Sequence, residues 1–162
     1  MKYILKPIIL ALPVFLVACG GGGGSGGDSN LQYAISVKAA KAQLPVNLSG
    51  EQPSSGAYAP YTTTVYVNAT EGGRPVAGGT EDFFGCNISG GLDSAALYYL
   101  DGSEKDIDSE TKKHKAYRSI TLGVNSGGNS FHVHSGSLAG VVQVTCSLTD
   151  PRDKRVYSDT VN

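Results

Sequence analysis

The histidines of the segment Ser130-Phe131-His132-Val133-His134 have the spacing in this sequence that best suits metal chemistry. On a β-strand, His132 and His134 project from one face, where two imidazoles can bind zinc or copper if a neighbouring strand supplies a third ligand. Phe131 and Val133 alternate with them, which is typical of an inward apolar face with two solvated imidazoles outside. We favour this second interpretation, so His132 and His134 are kept only as alternative metal ligands and no cofactor is expected.

Five of the 14 acidic residues fall within ten positions, which makes residues 101–110 a second candidate site. Their carboxylates belong to Asp101, Glu104, Asp106, Asp108 and Glu110. Calcium takes several carboxylate oxygens, but the EF-hand order is absent, because Lys105 and Asp106 stand where a ligand and a glycine belong. A polar hairpin tip, partly neutralised by the basic residues that follow, is the ordinary explanation. Because sandwich domains place recognition in variable loops, we predict a binding loop here and leave calcium open.

Tyrosines flank this acidic segment on both sides. Tyr98 and Tyr99 precede it, and Tyr117 follows it. Their rings can supply aromatic contact surface to a partner, or they can pack across neighbouring strands. We favour cross-strand packing.

Residue types for nucleophilic or acid–base catalysis do not form a recognisable site. Ser135 and Ser137 lie beside His134, and Ser94 follows Asp93, but no nucleophile-elbow motif surrounds any of these serines. The sequence does not single out a pair of catalytic carboxylates either. We therefore predict that the protein is not an enzyme.

The elements that position these groups are preceded by an export signal. Lys2 and Lys6 form a positive head, and residues 7–18 are an uncharged, mostly apolar stretch of twelve residues. Such a stretch is too short to span a bilayer as a helix. The pattern is typical of a secretory signal peptide, to which we assign residues 1–18.

The end of this signal, Leu16-Val17-Ala18-Cys19-Gly20, resembles the lipobox of bacterial lipoproteins. The resemblance implies cleavage before Cys19, a diacylglycerol on its thiol and a third acyl chain, such as palmitate, on its amine. Several acyl chains hold a soluble domain on a membrane. Because Gly20 rather than Asp follows the cysteine, the resemblance implies the outer membrane, with the periplasmic and cell-surface faces both left open.

A Gly-rich tether follows the proposed anchor. Residues 20–30 contain seven of the 22 glycines and no side chain that could bury apolar area, so residues 19–30 are predicted to be a lipidated cysteine and a disordered linker. The reach of such a coil is about 18 Å root-mean-square. A phosphate-binding loop is not expected, because a preceding strand, a following helix and a lysine are all lacking.

The remainder, residues 31–162, has the alternation of an all-β domain. Apolar and polar residues alternate between clusters of Gly, Pro, Asn and Asp, whereas no stretch of eleven or more residues has helical spacing. In residues 61–69, for example, Val65, Val67 and Ala69 share one face with Thr63. Further strands are expected before residue 45, around residues 84–88, and at residues 94–100, 117–122, 129–135, 140–148 and 155–162. We predict a two-sheet sandwich of seven to nine short strands.

Cys86 and Cys146 are the cysteines that remain once Cys19 is assigned to lipid, and an even pair in an exported protein predicts a disulfide. Cys86 shares a face with Ile88, and Cys146 shares one with Val144 and Leu148, so both thiols are expected to face the core. We expect the bridge to cross-link the two sheets. Two buried free thiols are the alternative; a metal pair is disfavoured, since neither cysteine has a Cys-x-x-Cys partner or a histidine beside it.

Several short motifs follow one another along the predicted all-β domain. They are Leu44-Pro45-Val46, Thr62-Thr63-Thr64-Val65-Tyr66-Val67, Gly73-Arg74-Pro75-Val76, Ala139-Gly140-Val141-Val142-Gln143-Val144-Thr145-Cys146 and Thr149-Asp150-Pro151. This order resembles bacterial immunoglobulin-like domains of the invasin and intimin type, over most of residues 42–162. The resemblance implies an immunoglobulin-like Greek-key sandwich that serves in adhesion and as a spacer. Because such domains often occur in tandem, a truncated reading frame of a longer protein is kept as an alternative. Unlike antibody domains, the chain has no Trp, and Val144 replaces the Tyr two residues before the second cysteine.

The charge balance limits the partners. With 13 basic and 14 acidic side chains and no basic stripe, a nucleic-acid partner is not expected. We expect a membrane-anchored envelope lipoprotein with a non-catalytic binding or adhesion module, whose partner is another envelope or host-surface macromolecule. The alternative is a structural or spacer lipoprotein of the periplasm or outer membrane.

Overall fold

Nine β-strands form the regular structure of residues 31–56 and 58–162, the residues that this computed structural model describes. In chain order they are β1 (Tyr33–Ala39), β2 (Thr62–Glu71), β3 (Arg74–Pro75), β4 (Phe84–Ile88), β5 (Ala95–Tyr98), β6 (Ser119–Leu122), β7 (Gly128–Ser135), β8 (Val144–Thr149) and β9 (Val156–Val161). These residues contain no helix, which confirms the predicted all-β class. The predicted signal peptide, Cys19 and the Gly-rich linker lie outside the described residues.

The strands form two antiparallel sheets that face each other as a sandwich. Sheet A has the order β1-β2-β7-β5, with β3 paired to one end of β2, and sheet B has the order β6-β4-β8-β9. The inward faces of both sheets supply the core, in which Phe84 of sheet B and Phe131 of sheet A are completely buried. Burying each of these rings stabilises the fold by about 1.5–3 kcal/mol. The coarse sandwich architecture agrees with the prediction.

β2 illustrates how the alternating sequence selects the buried face. Val65, Val67 and Ala69 are almost completely buried, whereas Tyr66 between them is half exposed. β2 pairs with β1 on one side and β7 on the other, and Phe131 lies opposite Val65. Because side chains two residues apart share a face, the registers with both neighbours bring apolar residues together at the core.

Residues 140–143 lack the strand structure that we predicted for them. β8 begins at Val144, which lies opposite Ile88 at the end of β4 and Val161 at the end of β9. Since both neighbouring strands stop at this level, no described strand continues beside residues 140–143. A β-branched apolar sequence is not sufficient for a strand where the sheet does not extend.

The predicted disulfide joins Cys86 and Cys146, whose Cα atoms lie 4.1 Å apart, and both cysteines are buried. The bridge does not cross-link the two sheets, however. The cysteines lie directly opposite each other on β4 and β8, which are neighbouring strands of sheet B. The expected inter-sheet bridge is wrong because an inward-facing position is compatible equally with a partner in the same sheet and with one in the opposite sheet.

Arg152 connects the two sheets through polar contacts. It lies in the turn between β8 and β9, where its guanidinium donates to the buried carboxylate of Asp150 at 2.7 Å. The same guanidinium contacts Glu71 at the end of β2 at 2.9 Å and donates to the carbonyl oxygen of Leu31, also at 2.9 Å. The hydrogen bonds from Arg152 lower the pKa of Asp150 to about 2, despite the burial of the carboxylate.

Candidate functional site

Three loops meet at one end of the sandwich, which we call the cleft end. They are residues 40–56 and 58–61 between β1 and β2, residues 89–94 between β4 and β5, and residues 136–143 between β7 and β8. A cleft of about 550 Å³ opens here between the two sheets. Its apolar lining comes from inward-facing strand residues and from loop residues, among them Val65, Val133, Val144, Val161, Leu44 and Leu138.

Exposed apolar side chains are concentrated on the three loops of the cleft end, and two of them, Leu138 and Val141, line the cleft itself. Five of the eight large apolar side chains that are exposed in the described residues lie on these three loops. They are Leu48, Tyr58, Leu92, Leu138 and Val141. The loops carry few charges, since Lys41, Glu51 and Asp93 are their only ionisable residues apart from Tyr58 and Tyr61. A clustered apolar surface with few charges is typical of a binding site.

Close backbone contacts hold the loops of the cleft end in place. The amide of Gly136 donates to the carbonyl oxygen of Ser94, and the amide of Leu138 donates to that of Asp93, both at 2.9 Å. A Cβ atom at Gly136 would lie only 2.0 Å from the carbonyl oxygen of Asp93, so the residue at position 136 must be glycine for the two loops to approach this closely. On the other side, the amide of Asn47 donates to the carbonyl oxygen of Gly136 at 2.8 Å.

Among the described residues, Lys41 has the only charged side chain that lines the cleft. It continues the inward-facing positions of β1 beyond Val37 and Ala39, and its amide donates to the hydroxyl of Thr63 at 2.8 Å. Its ammonium donates to two neutral acceptors, the carbonyl oxygens of Ala59 at 2.6 Å and Thr62 at 3.2 Å. Among the described residues, no carboxylate forms an ion pair with it. Within the described residues, the hydrogen bonds of the Lys41 ammonium therefore go to neutral acceptors.

His134 is buried, which corrects the prediction of a solvated imidazole. Nδ1 lies 2.8 Å from the hydroxyl of Thr62, and Nε2 lies 2.9 Å from both the side-chain nitrogen of Asn47 and the carbonyl oxygen of Glu51. The loop after β1 folds over the outer face of sheet A at this point and covers the ring. Alternation predicts on which face a side chain lies, but it does not predict whether a loop covers that face.

His132 lies on the same outer face of sheet A and is half-buried. Its Nδ1 is 3.2 Å from the carbonyl oxygen of Tyr99. Burial lowers the pKa of both His132 and His134 below the usual value for histidine. Across residues 31–56 and 58–162, no group of three or more His, Cys, Asp or Glu residues is arranged to hold a metal ion.

The acidic segment lies between β5 and β6, apart from the loops of the cleft end. Asp106 is buried, with Oδ1 2.6 Å from Nδ1 of His114 and Oδ2 accepting a hydrogen bond from the amide of Gly102. Burial raises the pKa of Asp106, but the hydrogen bonds from His114 and Gly102 outweigh it, so the pKa lies below its ordinary value. Asp108 accepts hydrogen bonds from the amides of Glu110 and Thr111.

The other predicted members of this loop are at the surface. Asp101 accepts a hydrogen bond from the amide of Ser103, and Glu104 and Glu110 are exposed. Three of the five carboxylates, those of Asp101, Asp106 and Asp108, therefore accept hydrogen bonds that hold the loop in its own conformation. The five carboxylates are not brought together around one point.

The flanking tyrosines pack against other described residues. The rings of Tyr99 and Tyr117 meet edge to face with 5.5 Å between centroids, and the ring of Tyr98 meets that of His134 at 5.9 Å. The hydroxyl of Tyr99 donates to the carbonyl oxygen of Thr121 on the edge strand β6. These contacts agree with the packing interpretation that we favoured.

The residues of the cleft end are the candidate site that sequence reasoning missed. They belong to no motif, and Val141 and Val142 were assigned to a strand rather than to a loop beside a cleft. A usable signal was present: Leu48, Leu92 and Leu138 are large apolar residues in segments rich in turn-forming residues and poor in charge. Their convergence depends on the strand order, which the sequence alone did not provide.

No known family model matches the chain, and no curated protein and no solved structure matches it either. Within the described residues there is no helix with the length and apolar character needed to cross a membrane.

Proposed function

We propose that this chain is a lipid-anchored lipoprotein of the bacterial envelope whose β-sandwich binds a partner at its cleft end, without catalysis. The observation that carries this proposal is the cleft end itself. It combines a cleft of about 550 Å³ with five exposed large apolar side chains on loops that carry only three charged residues. Sites of this size and apolar character are typical of ligand and partner binding. Cys19, as the acylated residue, is the proposed membrane attachment.

We assign the sandwich to the immunoglobulin-like class as part of this proposal. In an immunoglobulin constant-type domain, one sheet has the strand order A-B-E-D and the other contains C-F-G. The orders β1-β2-β7-β5 and β4-β8-β9 support this correspondence, with β6 added beside β4. The disulfide departs from the antibody pattern, because it joins the counterparts of strands C and F within one sheet rather than B and F across the sandwich.

The position of Leu31 supports a role for the cleft end in contacts with other molecules. Leu31 lies beside Arg152 and Gly72, at the opposite end of the sandwich from the cleft. β1 runs from this end towards the cleft over seven residues, which is about 23 Å. Leu31 and the cleft therefore lie at opposite ends of residues 31–162, so the preceding residue does not join the domain at the cleft end, and this supports contact of the cleft end with another envelope or host-surface macromolecule.

Protease shaving of intact cells tests which membrane face the domain occupies: contact with an external partner requires the outer face, and the structural alternative expects the periplasmic face. If the module meets partners outside the cell, external protease removes residues 31–162 from intact cells. Full protection, with digestion only after the outer membrane is opened, would instead indicate a structural or spacer lipoprotein that faces the periplasm.

Replacing Cys19 by Ala tests the anchor separately. We expect the Cys19→Ala protein to move from the membrane fraction to the soluble fraction, because the acylated thiol is the proposed attachment. Continued membrane retention of this variant would contradict the lipoprotein assignment. Ser25→Ala, in the predicted linker, is the control, since it leaves both the acylation position and the Cys86–Cys146 bridge unchanged.

A further inference from the structure

We propose that the cleft binds a single-chain fatty carboxylate, with the acyl chain between the sheets and the carboxylate at Lys41. This inference rests on the proposed function in one respect, namely that the cleft end is the binding site. It goes further because it names the chemical class of the ligand.

The shape and lining of the cleft suit an unbranched apolar chain. The cleft volume of about 550 Å³ lies within the range of about 300–1,000 Å³ that small-ligand sites occupy. Its inner walls are aliphatic: Val65 and Val133 belong to sheet A, and Val144 and Val161 belong to sheet B. The described residues that line the cleft include no phenylalanine, tyrosine or tryptophan, so they offer no aromatic ring to stack on a planar ligand.

Lys41 supplies charge complementarity for an anionic head group. It is the one charged side chain that the described residues place in the lining, and its ammonium donates to the carbonyl oxygens of Ala59 and Thr62. Neutral acceptors orient the ammonium without cancelling its charge, so a ligand carboxylate can add the ion pair that the described residues do not provide. A single point charge on a flexible stem suits one carboxylate.

The chain lacks tryptophan, which permits a position-specific test. The probe is a series of saturated fatty acids of 8 to 16 carbons brominated along the chain, because bromine quenches tryptophan fluorescence on contact. Full-length Cys19→Ala protein carries one reporter, Leu138→Trp, at the cleft. The matched control is Tyr66→Trp, on the outer face of sheet A, where the native side chain has a similar exposure of 50% against 58% for Leu138. Val141→Trp, at a position that is 84% exposed, is a second cleft reporter should the first disturb folding.

We expect saturable quenching of the cleft reporters below the micellar concentration of each fatty acid, and no saturable quenching of Tyr66→Trp. Affinity should rise about four-fold for each added methylene until the cleft is full, and then level off. The matching fatty alcohols should bind about two- to five-fold more weakly than the acids. Lys41→Met should abolish this difference, Lys41→Arg should preserve it, and Lys38→Met, at an exposed position of the preceding strand β1, should leave it unchanged.

Three results would overturn the inference. Equal quenching of the cleft and control reporters would indicate non-specific partitioning, and equal affinity for acids and alcohols would remove the role of Lys41. The third result is self-association that rises with protein concentration and shields the Leu138→Trp reporter from solvent, while fatty acids leave its fluorescence unchanged. That result would assign the cleft to a second copy of the chain. The shaving and fractionation experiments read membrane face and anchoring only, so a failed fatty-acid test leaves the proposed function to be judged by them.

Discussion

At the scale of single residues, His134 shows how a polar side chain is accommodated beneath a loop. The imidazole is buried against Asn47 and Thr62, which bond both ring nitrogens together with the Glu51 carbonyl oxygen. Sequence alternation correctly predicted its face, but not its burial, because the covering loop comes from about 80 residues earlier in the chain. The same limit applies to Asp106, whose carboxylate was predicted to be part of a binding loop and is buried beside His114.

Burial of these histidines predicts that stability falls in mild acid. The folded-state pKa values of His134 and His132 are lowered, so below pH 6.5 the unfolded chain binds more protons than the folded chain. The contribution of the neutral histidines to the free energy of unfolding is complete above pH 6.5, and it is lost as the pH falls from there through their folded-state pKa values. Each histidine should contribute a slope of up to about 1.4 kcal/mol per pH unit in this window. Urea unfolding at pH 7.5 and 5.5 measures this loss of stability. A His132→Gln, His134→Gln double variant should show a weaker dependence of the unfolding free energy on pH. An unchanged slope in the double variant would contradict the assignment.

At the scale of secondary-structure elements, the strands followed from the sequence better than the loops did. Val65, Val67 and Ala69 specify a buried face through a two-residue period, which is a local property. The start of β8 at Val144, and the pairing of Cys86 with Cys146 inside one sheet, depend on which strands become neighbours. That information arises from contacts between distant segments, so alternation alone cannot provide it.

The loops of the cleft end depend on Gly136. We predict that Gly136→Ala destabilises the domain by about 1–3 kcal/mol, because the new Cβ would lie 2.0 Å from the carbonyl oxygen of Asp93 and would force the two loops apart. Gly140→Ala is the control within the same loop, since its nearest neighbour there would be 4.0 Å away. The midpoints of urea unfolding should separate the two variants, and equal midpoints would show that the close approach at Gly136 does not matter.

At the scale of the whole molecule, different contacts hold strands together within a sheet and hold the two sheets together. The disulfide closes a loop between residues 60 positions apart, but it joins neighbouring strands. Removing it by Cys86→Ala with Cys146→Ala should cost about 4 kcal/mol in the free energy of unfolding. A shift in the chemical denaturation curve measures this loss, and a negligible shift would contradict a structural role for the bridge.

Arg152 is the residue that should matter for the contact between the sheets. We predict that Arg152→Met lowers the unfolding midpoint, because Asp150 would stay buried without its guanidinium partner and sheet B would lose its contact with Glu71. Arg155→Met is the matched control, since the guanidinium of Arg155 forms an exposed ion pair with Asp153 at 3.6 Å and the backbone hydrogen bonds of Arg155 are kept in the variant. Because the pKa of Asp150 is held to about 2, the effect of Arg152→Met should persist at pH 4. Equal unfolding midpoints for the two variants would show that Arg152 does not stabilise the contact between the sheets.

The central claim, a sandwich that is tethered to the membrane through Cys19 and cross-linked within sheet B, is tested most directly by the intact mass of the mature protein under non-reducing conditions. We expect protein extracted from membranes to begin at Cys19, to carry the mass of a diacylglycerol and a third acyl chain, and to lack the two hydrogens lost in the Cys86–Cys146 bridge. An unmodified first residue together with two free thiols would contradict both the anchor and the cross-linked sheet on which the account depends.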